Sequence, residues 1–183
     1  MEKKSKIIYW GYLTYKKWTF CIAITDKGLC RILQPQESFS VLESWVAKHF
    51  PQATLIYDQY KLTPYLAQFQ EYFQGQRKTF NLPLDLRGTD FQMSVWRALQ
   101  EIPYGTTKSY LEIAQLVNKP AAVRAVGAAN GANPIPIVVP CHRVIGKNGL
   151  LTGYRGGLEI KEELLKIEGI TDIAVPQKNV FCR

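Results

Sequence analysis

Apolar and polar residues alternate along the first third of the chain, in the pattern of strands. The alternation predicts strands over residues 7–15, 18–25 and 29–33, with turns at residues 16–17 and 26–28. In the second of these strands, every second side chain is a large apolar one: Trp18, Phe20, Ile22 and Ile24. The first third is therefore predicted to form a β-meander in which these four side chains share a face.

The rest of the first half predicts two helices and one further strand. Ser40–Glu43 has the spacing of a capping box and predicts a helix that continues to about His49. Thr63-Pro64 predicts the start of a second helix that stops at Gly75, and residues 54–57 predict a strand between the two helices. These elements indicate a small α/β domain without an evident catalytic cluster.

After residue 90 the apolar spacing becomes helical. A first helix carries apolar residues on one face, at Phe91, Val95, Leu99 and Ile102. Ser109–Glu112 is a second capping box and predicts a short helix, while Pro120 suits the first position of a third helix that continues through Ala129. The last two helices form a helix-turn-helix pattern. We therefore expect one domain over residues 1–86 with a linker from about residue 75, a second over 87–171, and a mobile tail over 172–183.

The second helix of this pattern is thin. Val123 and Val126 predict its core face, which leaves alanines and Arg124 on the remaining surface. A helix with so little bulk can approach a DNA duplex closely, even in a narrow minor groove, but it carries few side chains that read bases. Arg124 is long enough to enter a base stack or to hold a phosphate. An alanine-rich core helix with one surface arginine is the alternative.

An apolar segment leads to the candidate reactive residue. Three prolines within residues 133–140 predict an extended, stiff and buried run. Cys141, His142 and Arg143 follow at its end. Imidazole and guanidinium groups favour the thiolate, which is the nucleophilic form of cysteine, so we expect a lowered pKa at Cys141. The remaining cysteines are interpreted as small buried apolar residues: Cys21, Cys30 and Cys182.

Glu168 lies at the end of an apolar-periodic helix that begins near Leu158. A carboxylate at this end opposes the helix dipole. The unfavourable position indicates a task, such as orienting His142 to accept the thiol proton directly or through water. An exposed glutamate without a role is the alternative.

Charge adds a candidate partner. The 183-residue chain has a net charge of +8, which favours an anionic partner. No acidic residue occurs between Glu112 and Glu159, and this stretch carries five cations that make it a candidate phosphate-facing surface: Lys119, Arg124, Arg143, Lys147 and Arg155. A solvated basic face is the alternative. No apolar run has the length of a membrane span or of a secretory signal core, so we expect a cytoplasmic protein without a membrane partner.

Several motifs together resemble the O6-alkylguanine-DNA alkyltransferases. Residues 133–146, with Pro-Cys-His-Arg at 140–143, are similar to the active-site signature of that family. The likeness covers roughly residues 90–169 and is only architectural over residues 1–86. Its further motifs are Ser109-Tyr110, Arg124–Gly127, Gly153–Gly157 and Glu168-Gly169. The resemblance implies an α+β fold, in which a small N-terminal α/β domain of ribonuclease-H-like architecture precedes a C-terminal winged helix-turn-helix domain.

The resemblance also implies an activity. A member of this family transfers the alkyl group of O6-alkylguanine in DNA irreversibly to its own cysteine, here Cys141, and activity on O4-alkylthymine stays open. The protein would be a self-inactivating DNA repair methyltransferase, because nothing expels the sulfur of a thioether at neutral pH. Glu168, His142 and a water would form the relay to Cys141. Double-stranded DNA would be bound through its minor groove, with the alkylated guanine flipped out.

The motifs further assign contacts with the flipped base. Arg124 matches the residue that fills the space left in the duplex. Tyr110 matches the hydroxyl that protonates the leaving guanine, and Tyr154 lies in the loop that closes over the base. The backbone at Cys141 and Val144 would hold the amino edge of the guanine.

The remaining assignments concern the DNA backbone. Asn133 matches the hinge between the DNA-binding helix and the active-site segment, and Lys147 and Arg155 are candidate DNA contacts. Gly131 stands where some relatives carry arginine, which removes one phosphate contact.

The same residues are compatible with two other classes of protein. A non-enzymatic winged-helix sensor of alkylated DNA would lack the reactive cysteine, whereas Cys141 is present. A Cys-His hydrolase with a glutamate orienter would turn over and would need no DNA-binding helix. Cys21, Cys30 and His49 do not have the spacing of a zinc site, so we expect no metal and no cofactor, and we expect a monomer.

Overall fold

A computed structural model of the chain describes residues 6–173, so most of the predicted tail lies outside the described residues. The N-terminal half contains one sheet and two helices, with the elements β1 (Ile7–Tyr15), β2 (Trp18–Thr25), β3 (Gly28–Leu33), α1 (Phe39–His49), β4 (Thr54–Tyr57) and α2 (Thr63–Phe73). The sheet order is β3-β2-β1-β4, in which β4 pairs parallel with β1 and the other pairs are antiparallel. The predicted β-meander is confirmed.

Both faces of the sheet are covered. Phe20 and Ile22 of β2 belong to a core shared with α2 and with the C-terminal half, whereas Cys21 and Ala23 face a second core beneath α1. A strand that is buried on both faces has an almost continuous apolar sequence, as residues 20–24 have.

The capping box predicted at Ser40 is wrong. Helix α1 begins at Phe39 after the N-cap residue Ser38, which makes no side-chain capping bond. The Ser38 and Ser40 hydroxyl oxygens lie 2.6 Å apart and bond each other, so Ser40 belongs to the first turn of the helix. Serine is a favoured N-cap residue, so both Ser38 and Ser40 were possible caps, and the capping-box spacing in the sequence pointed to Ser40.

The segment between the two halves runs along the sheet. The backbone N–H of Leu29 donates to the Pro83 carbonyl at 2.9 Å, and the N–H of Asp85 donates to the Leu29 carbonyl at 2.8 Å. The Asp85 side chain is buried and accepts hydrogen bonds from Thr25 and Arg87. These bonds hold the linker before the C-terminal half beside β3.

The C-terminal half is mainly helical. Its elements are α3 (Asp90–Gln100), β5 (Lys108–Ser109), α4 (Tyr110–Leu116), α5 (Val123–Gly131), a 3₁₀ turn (Cys141–Arg143), β6 (Val144–Ile145) and α6 (Leu158–Ile167). The predicted capping box of α4 is confirmed, because the N–H of Glu112 donates to Ser109 Oγ and the N–H of Ser109 donates to Glu112 Oε2. Helices α3, α4 and α5 pack on one another, and α4 and α5 form the predicted helix-turn-helix. No helix within residues 6–173 combines the length and apolarity of a membrane span.

Helix α5 begins later than predicted. Pro120 lies in a turn, and the first helical residue is Val123. Asn118 adopts a φ of 56°, and the next N–H, that of Lys119, closes back onto the carbonyl of Ala114. Asn118 and Lys119 therefore end α4, so the residues that follow them form a turn and α5 begins only after it. The buried side chains of α5 are Val126, Ala129 and Asn130, while Val123 is only partly buried.

Residues 133–140 are buried as predicted, but they turn instead of running extended. Ile137 has a φ of 77°, which a β-branched residue rarely adopts. The Asn133 side chain fixes the turn by accepting from the N–H of Ile135 at 3.0 Å and donating to the Val139 carbonyl at 2.8 Å. The prolines restrict φ at their own positions only, so they did not reveal a turn closed by an asparagine side chain.

Candidate active site

A cavity of about 380 Å³ lies beside the candidate reactive residue. Cys141 opens the 3₁₀ turn that follows residues 133–140, and 5% of its surface is exposed. Helix α5, the 133–140 turn, the loop before α6 and the N-terminal half all contribute walls. The lining residues are Gln34, Tyr110, Gly127, Asn130, Gly131, Asn133, Pro136, Cys141, Gly153, Tyr154 and Arg155.

The expected lowering of the Cys141 pKa is wrong. Burial raises the pKa of this thiol, and the Asn133 side chain and the positive charges of Arg155 and Lys161 oppose the effect of burial without overcoming it. Cations next to a cysteine favour its thiolate, but the cost of burying an anion is larger here. Cys141 is therefore a thiol at rest, and it needs a base before it can act as a nucleophile.

His142 and Glu168 provide such a base. His142 Nε2 lies 2.7 Å from Glu168 Oε1, and both side chains are buried. An ionised carboxylate only accepts hydrogen bonds, so Nε2 carries the proton and Nδ1 keeps its lone pair. Nδ1 is buried and makes no hydrogen bond to residues 6–173. The ring nitrogen that can accept a proton is thus the one that Glu168 does not occupy.

The carboxylate of Glu168 is held as an anion. Burial raises its pKa, but hydrogen bonds and opposite charge from His142 and Arg143 outweigh burial and bring the pKa to about 2. Arg143 donates from Nε to Oε2 at 2.9 Å and from Nη2 to Oε1 at 3.0 Å. Burial lowers the pKa of His142 and Glu168 raises it, with a net lowering, so the imidazole is neutral at rest. Arg143, expected from its position to act on the thiol, binds the relay carboxylate.

Two residues of the N-terminal half enter the site, although the sequence indicated no catalytic cluster there. Tyr72 on α2 donates its hydroxyl proton to Glu168 Oε1 at 2.6 Å. Gln34, directly after β3, lines the cavity and donates from Nε2 to the Tyr154 hydroxyl at 3.3 Å. Tyr72 occurs in the apolar pattern of α2, where an aromatic residue predicts core packing. The sequence therefore carried no signal that would have distinguished it.

Tyr110 and Tyr154 lie on the cavity wall and keep their protons. Burial is the largest cause that raises the pKa of each hydroxyl, and nearby Cys141 raises it further. Both groups are therefore available as hydrogen-bond donors at neutral pH.

A buried lysine, also missed in the sequence, binds the backbone next to the site. Lys161 on α6 donates from Nζ to the carbonyls of Val144 and Thr152, each at 2.6 Å. Burial lowers its pKa to about 8, and Cys141 opposes that shift. In the sequence, Lys161 resembled the other charged residues of an amphipathic helix. The structure shows that it joins β6 and the following loop to α6.

The predicted DNA contacts are dispersed. Arg124 is exposed on α5, and Lys147 is exposed in the loop after β6. Arg155 lines the cavity but turns toward the N-terminal half, where its Nε lies 3.5 Å from Glu37 Oε2. The structure brings together Cys141, His142, Glu168, Tyr110, Tyr154, Asn133 and Val144, and it leaves Arg124 and Lys147 at the surface.

Comparisons with known proteins agree with the two halves of the structure. Residues 90–170 match the model of the 6-O-methylguanine DNA methyltransferase DNA binding domain. Residues 8–86 match the model of the ribonuclease-like domain of the same family. The α+β fold expected from the sequence is therefore confirmed, with a ribonuclease-like domain before a DNA-binding domain.

Curated relatives and solved structures extend this likeness over nearly the whole chain. The inducible methylated-DNA–protein-cysteine methyltransferase of Bacillus subtilis is 54% identical over 168 residues, which cover 92% of this chain and 94% of the relative. The constitutive B. subtilis protein is 59% identical over 118 residues, covering 62% of this chain and 72% of the relative. The structure of Mycobacterium tuberculosis OGT in complex with DNA matches with a TM-score of 0.75 and 39% identity, covering 93% of this chain and 96% of that chain. On the fold, the site and these likenesses, the chain belongs to the 6-O-methylguanine DNA methyltransferase family.

Proposed function

We propose that the chain repairs DNA by transferring the alkyl group of O6-alkylguanine irreversibly to Cys141. Family membership makes it a DNA repair methyltransferase with DNA as its partner. The observation that carries the assignment to Cys141 is the position of this buried thiol on a cavity wall, next to a neutral imidazole that a buried carboxylate orients.

The transfer needs one proton to move from the sulfur to guanine. His142 Nδ1 accepts the Cys141 proton, directly or through a water, and Sγ attacks the alkyl carbon. A sulfur–carbon bond forms as the bond from that carbon to O6 breaks, and the electron pair stays with guanine. Tyr110 donates a proton to the leaving guanine, and the resulting phenolate takes up the proton that His142 received from Cys141, so the proton lost by the sulfur equals the one gained by guanine. The thioether that remains is stable, so each chain acts once.

The burial of Cys141 supports base flipping. A thiol with 5% of its surface exposed does not reach a base inside a duplex, so the damaged nucleotide has to leave the stack. Helix α5 borders the cavity through Gly127, Asn130 and Gly131 and exposes Arg124. We infer that α5 enters the minor groove and that Arg124 fills the vacated space. Asn133, Lys147 and Tyr154 are proposed as hinge, phosphate contact and closing residue, and the chain is proposed to act as a monomer.

A stoichiometric titration tests the function. Increasing amounts of duplex containing O6-methylguanine are added to a fixed amount of protein, and the restored guanine is counted. We expect a plateau at one lesion per chain and no repair by Cys141→Ser, with DNA binding retained. The control Cys21→Ser, whose thiol lies in the core beneath α1, is expected to leave the plateau unchanged. Continued turnover beyond one equivalent would contradict the proposal and would favour a hydrolase.

A further inference from the structure

We propose that Tyr72 is a positioning residue for alkyl transfer, because its hydroxyl binds the relay carboxylate Glu168 and thereby sets the proton affinity of His142. The inference rests on the proposed function, in which His142 takes the thiol proton. It gives the N-terminal half a defined part in the chemistry of a cysteine that lies in the other half.

Three polar atoms meet at one point of the relay. Glu168 Oε1 accepts from the Tyr72 hydroxyl at 2.6 Å and from His142 Nε2 at 2.7 Å, and the hydroxyl lies 3.4 Å from that same Nε2. Tyr72 and His142 are both fully buried, and 5% of Glu168 is exposed. Since the carboxylate has no proton to give, the tyrosine is the donor in this bond. Tyr72 and His142 therefore share one carboxylate oxygen.

This sharing weakens what Glu168 offers to the imidazole. Each donor on Oε1 stabilises part of the negative charge, so less of it remains to stabilise an imidazolium. The tyrosine therefore favours the neutral His142 that accepts the thiol proton. The pKa of His142 is already lowered, with burial as the largest cause and Glu168 acting against it.

The other groups around the relay do not replace this effect. The ionisable groups that face the pair from α2, the turn after α3, the 3₁₀ turn, the loop before α6 and α6 itself are Tyr72, Tyr104, Cys141, Arg143, Tyr154 and Lys161. Arg143 is a fixed cation on both carboxylate oxygens, and Gly105 donates its backbone N–H to Oε2. Of the groups in residues 6–173, Tyr72 supplies the neutral side-chain donor to the oxygen that binds His142.

The ring of Tyr72 is held by its surroundings. It packs against Phe80 at a centroid distance of 5.2 Å and meets the edge of Tyr104 at 6.2 Å. A rigid ring brings its hydroxyl to Oε1 with little loss of side-chain entropy. The burial of a phenol hydroxyl is accounted for by this bond, since a buried polar group requires a partner.

The test compares the pH dependence of alkyl transfer in wild type and Tyr72→Phe. The probe is a single-stranded oligonucleotide with one O6-methylguanine, so that base extrusion does not limit the rate. Removal of the hydroxyl makes Glu168 a stronger partner for the imidazolium, which raises the pKa of His142. The acid limb of the rate profile is expected to move to higher pH by about one unit, the size of effect expected for one hydrogen bond to a charged group.

Tyr104→Phe is the matched control. It removes a tyrosine hydroxyl from the same region, where Tyr104 donates to the Ile167 carbonyl at 2.7 Å without contacting the carboxylate. Its acid limb is expected to coincide with that of wild type. A purely structural role of Tyr72 would lower the rate of Tyr72→Phe equally at every pH, and superimposable acid limbs in wild type and Tyr72→Phe would overturn the inference. Absence of transfer in wild type would instead overturn the proposed function.

A second measurement applies if Tyr72→Phe does not fold. In nuclear magnetic resonance spectra of wild type at neutral pH, His142 is expected to carry its proton on Nε2. The Tyr72 hydroxyl proton is expected to exchange slowly and to resonate far downfield, as a short bond to a carboxylate requires. A rapidly exchanging hydroxyl, or a proton on Nδ1 alone, would overturn the inference.

Discussion

The surroundings of Cys141 differ on its two sides. The pocket side, formed by Gln34, Tyr110 and Tyr154, presents these neutral polar side chains to a cavity that Arg155 also lines. The relay side, formed by Tyr72, His142, Arg143 and Glu168, contains charges that are buried and bonded to one another. Gln34 Oε1 on the pocket side has no hydrogen-bond partner within residues 6–173, whereas each oxygen of Glu168 has at least two.

The difference separates two tasks that one cysteine requires. Unsatisfied acceptors and protonated phenols can bind an uncharged base without first breaking strong bonds. A carboxylate whose two oxygens both accept hydrogen bonds instead keeps its charge in a buried site and holds the imidazole in one tautomer. Substitutions on the relay side should therefore reduce both stability and rate, whereas those on the pocket side should reduce the rate alone.

Glu168→Gln should have the largest effect. It removes one partner of a buried ion pair and leaves the Arg143 charge uncompensated, so the free energy of unfolding should fall by about 3 kcal/mol. The alkyl-transfer rate should fall by at least ~10²-fold because His142 loses its orienting charge. Denaturant unfolding and single-turnover kinetics measure these two losses. The control Glu163→Gln, on α6, breaks a more exposed pair with Lys16 of the β1–β2 turn and should cost less than about 1 kcal/mol.

The pH dependence of stability should change in the same variant. Glu168 has a folded pKa of about 2 against an ordinary value of 4.5. Because this pKa is lower in the folded state, the ionised carboxylate stabilises the fold at pH values above 4.5. This contribution to the free energy of unfolding disappears as the pH falls through 4.5 toward 2. Wild type should therefore lose more stability than Glu168→Gln over this range. Equal losses would show that the carboxylate is not bound as strongly as the distances imply.

Tyr110→Phe should lower the rate without lowering stability. The lost hydroxyl is the proposed proton donor to guanine, so transfer should slow by about 10²-fold, while the free energy of unfolding should change by less than about 0.5 kcal/mol. The same kinetic and unfolding assays apply. A stability loss as large as that of Glu168→Gln would remove the distinction between the two sides.

Arg124→Ala should act only where a base has to be extruded. We expect repair of duplex substrate to slow by about tenfold, because Arg124 offsets part of the cost of a few kcal/mol for extruding a base, while repair of single strands stays unchanged. Arg97→Ala removes the same charge from an exposed site on α3 and is the control for electrostatic attraction. Equal losses on single-stranded and duplex substrates would exclude the extrusion role.

Gln34→Ala should have the smallest effect. It removes the hydrogen bond to Tyr154, which at ~1 kcal/mol corresponds to about fivefold in rate. Gln36→Ala is a suitable control, since Gln36 is exposed, binds the Arg155 carbonyl and does not itself line the cavity. A larger loss of rate in Gln36→Ala than in Gln34→Ala would show that this loop acts through Arg155 and not through Tyr154.

Locally determined features could be predicted from the sequence, whereas features that depend on distant contacts could not. The bounds of β1 and β2 and the Ser109 capping box follow from neighbouring residues, and the structure reproduces them. The 133–140 turn depends on bonds of the Asn133 side chain, and the raised pKa of Cys141 depends on burial by the whole fold. Tyr72 reaches Glu168 across 96 positions of sequence, a distance at which periodicity carries no information.

The proposed function requires the sulfur of Cys141 to receive the alkyl group. The most direct measurement is the mass of the peptides obtained after the protein has reacted with an oligonucleotide that contains one O6-methylguanine. We expect one added methyl group, on the peptide that contains Cys141, in an amount equal to the guanine restored. Loss of the methyl group from DNA while Cys141 stays unmodified would contradict it.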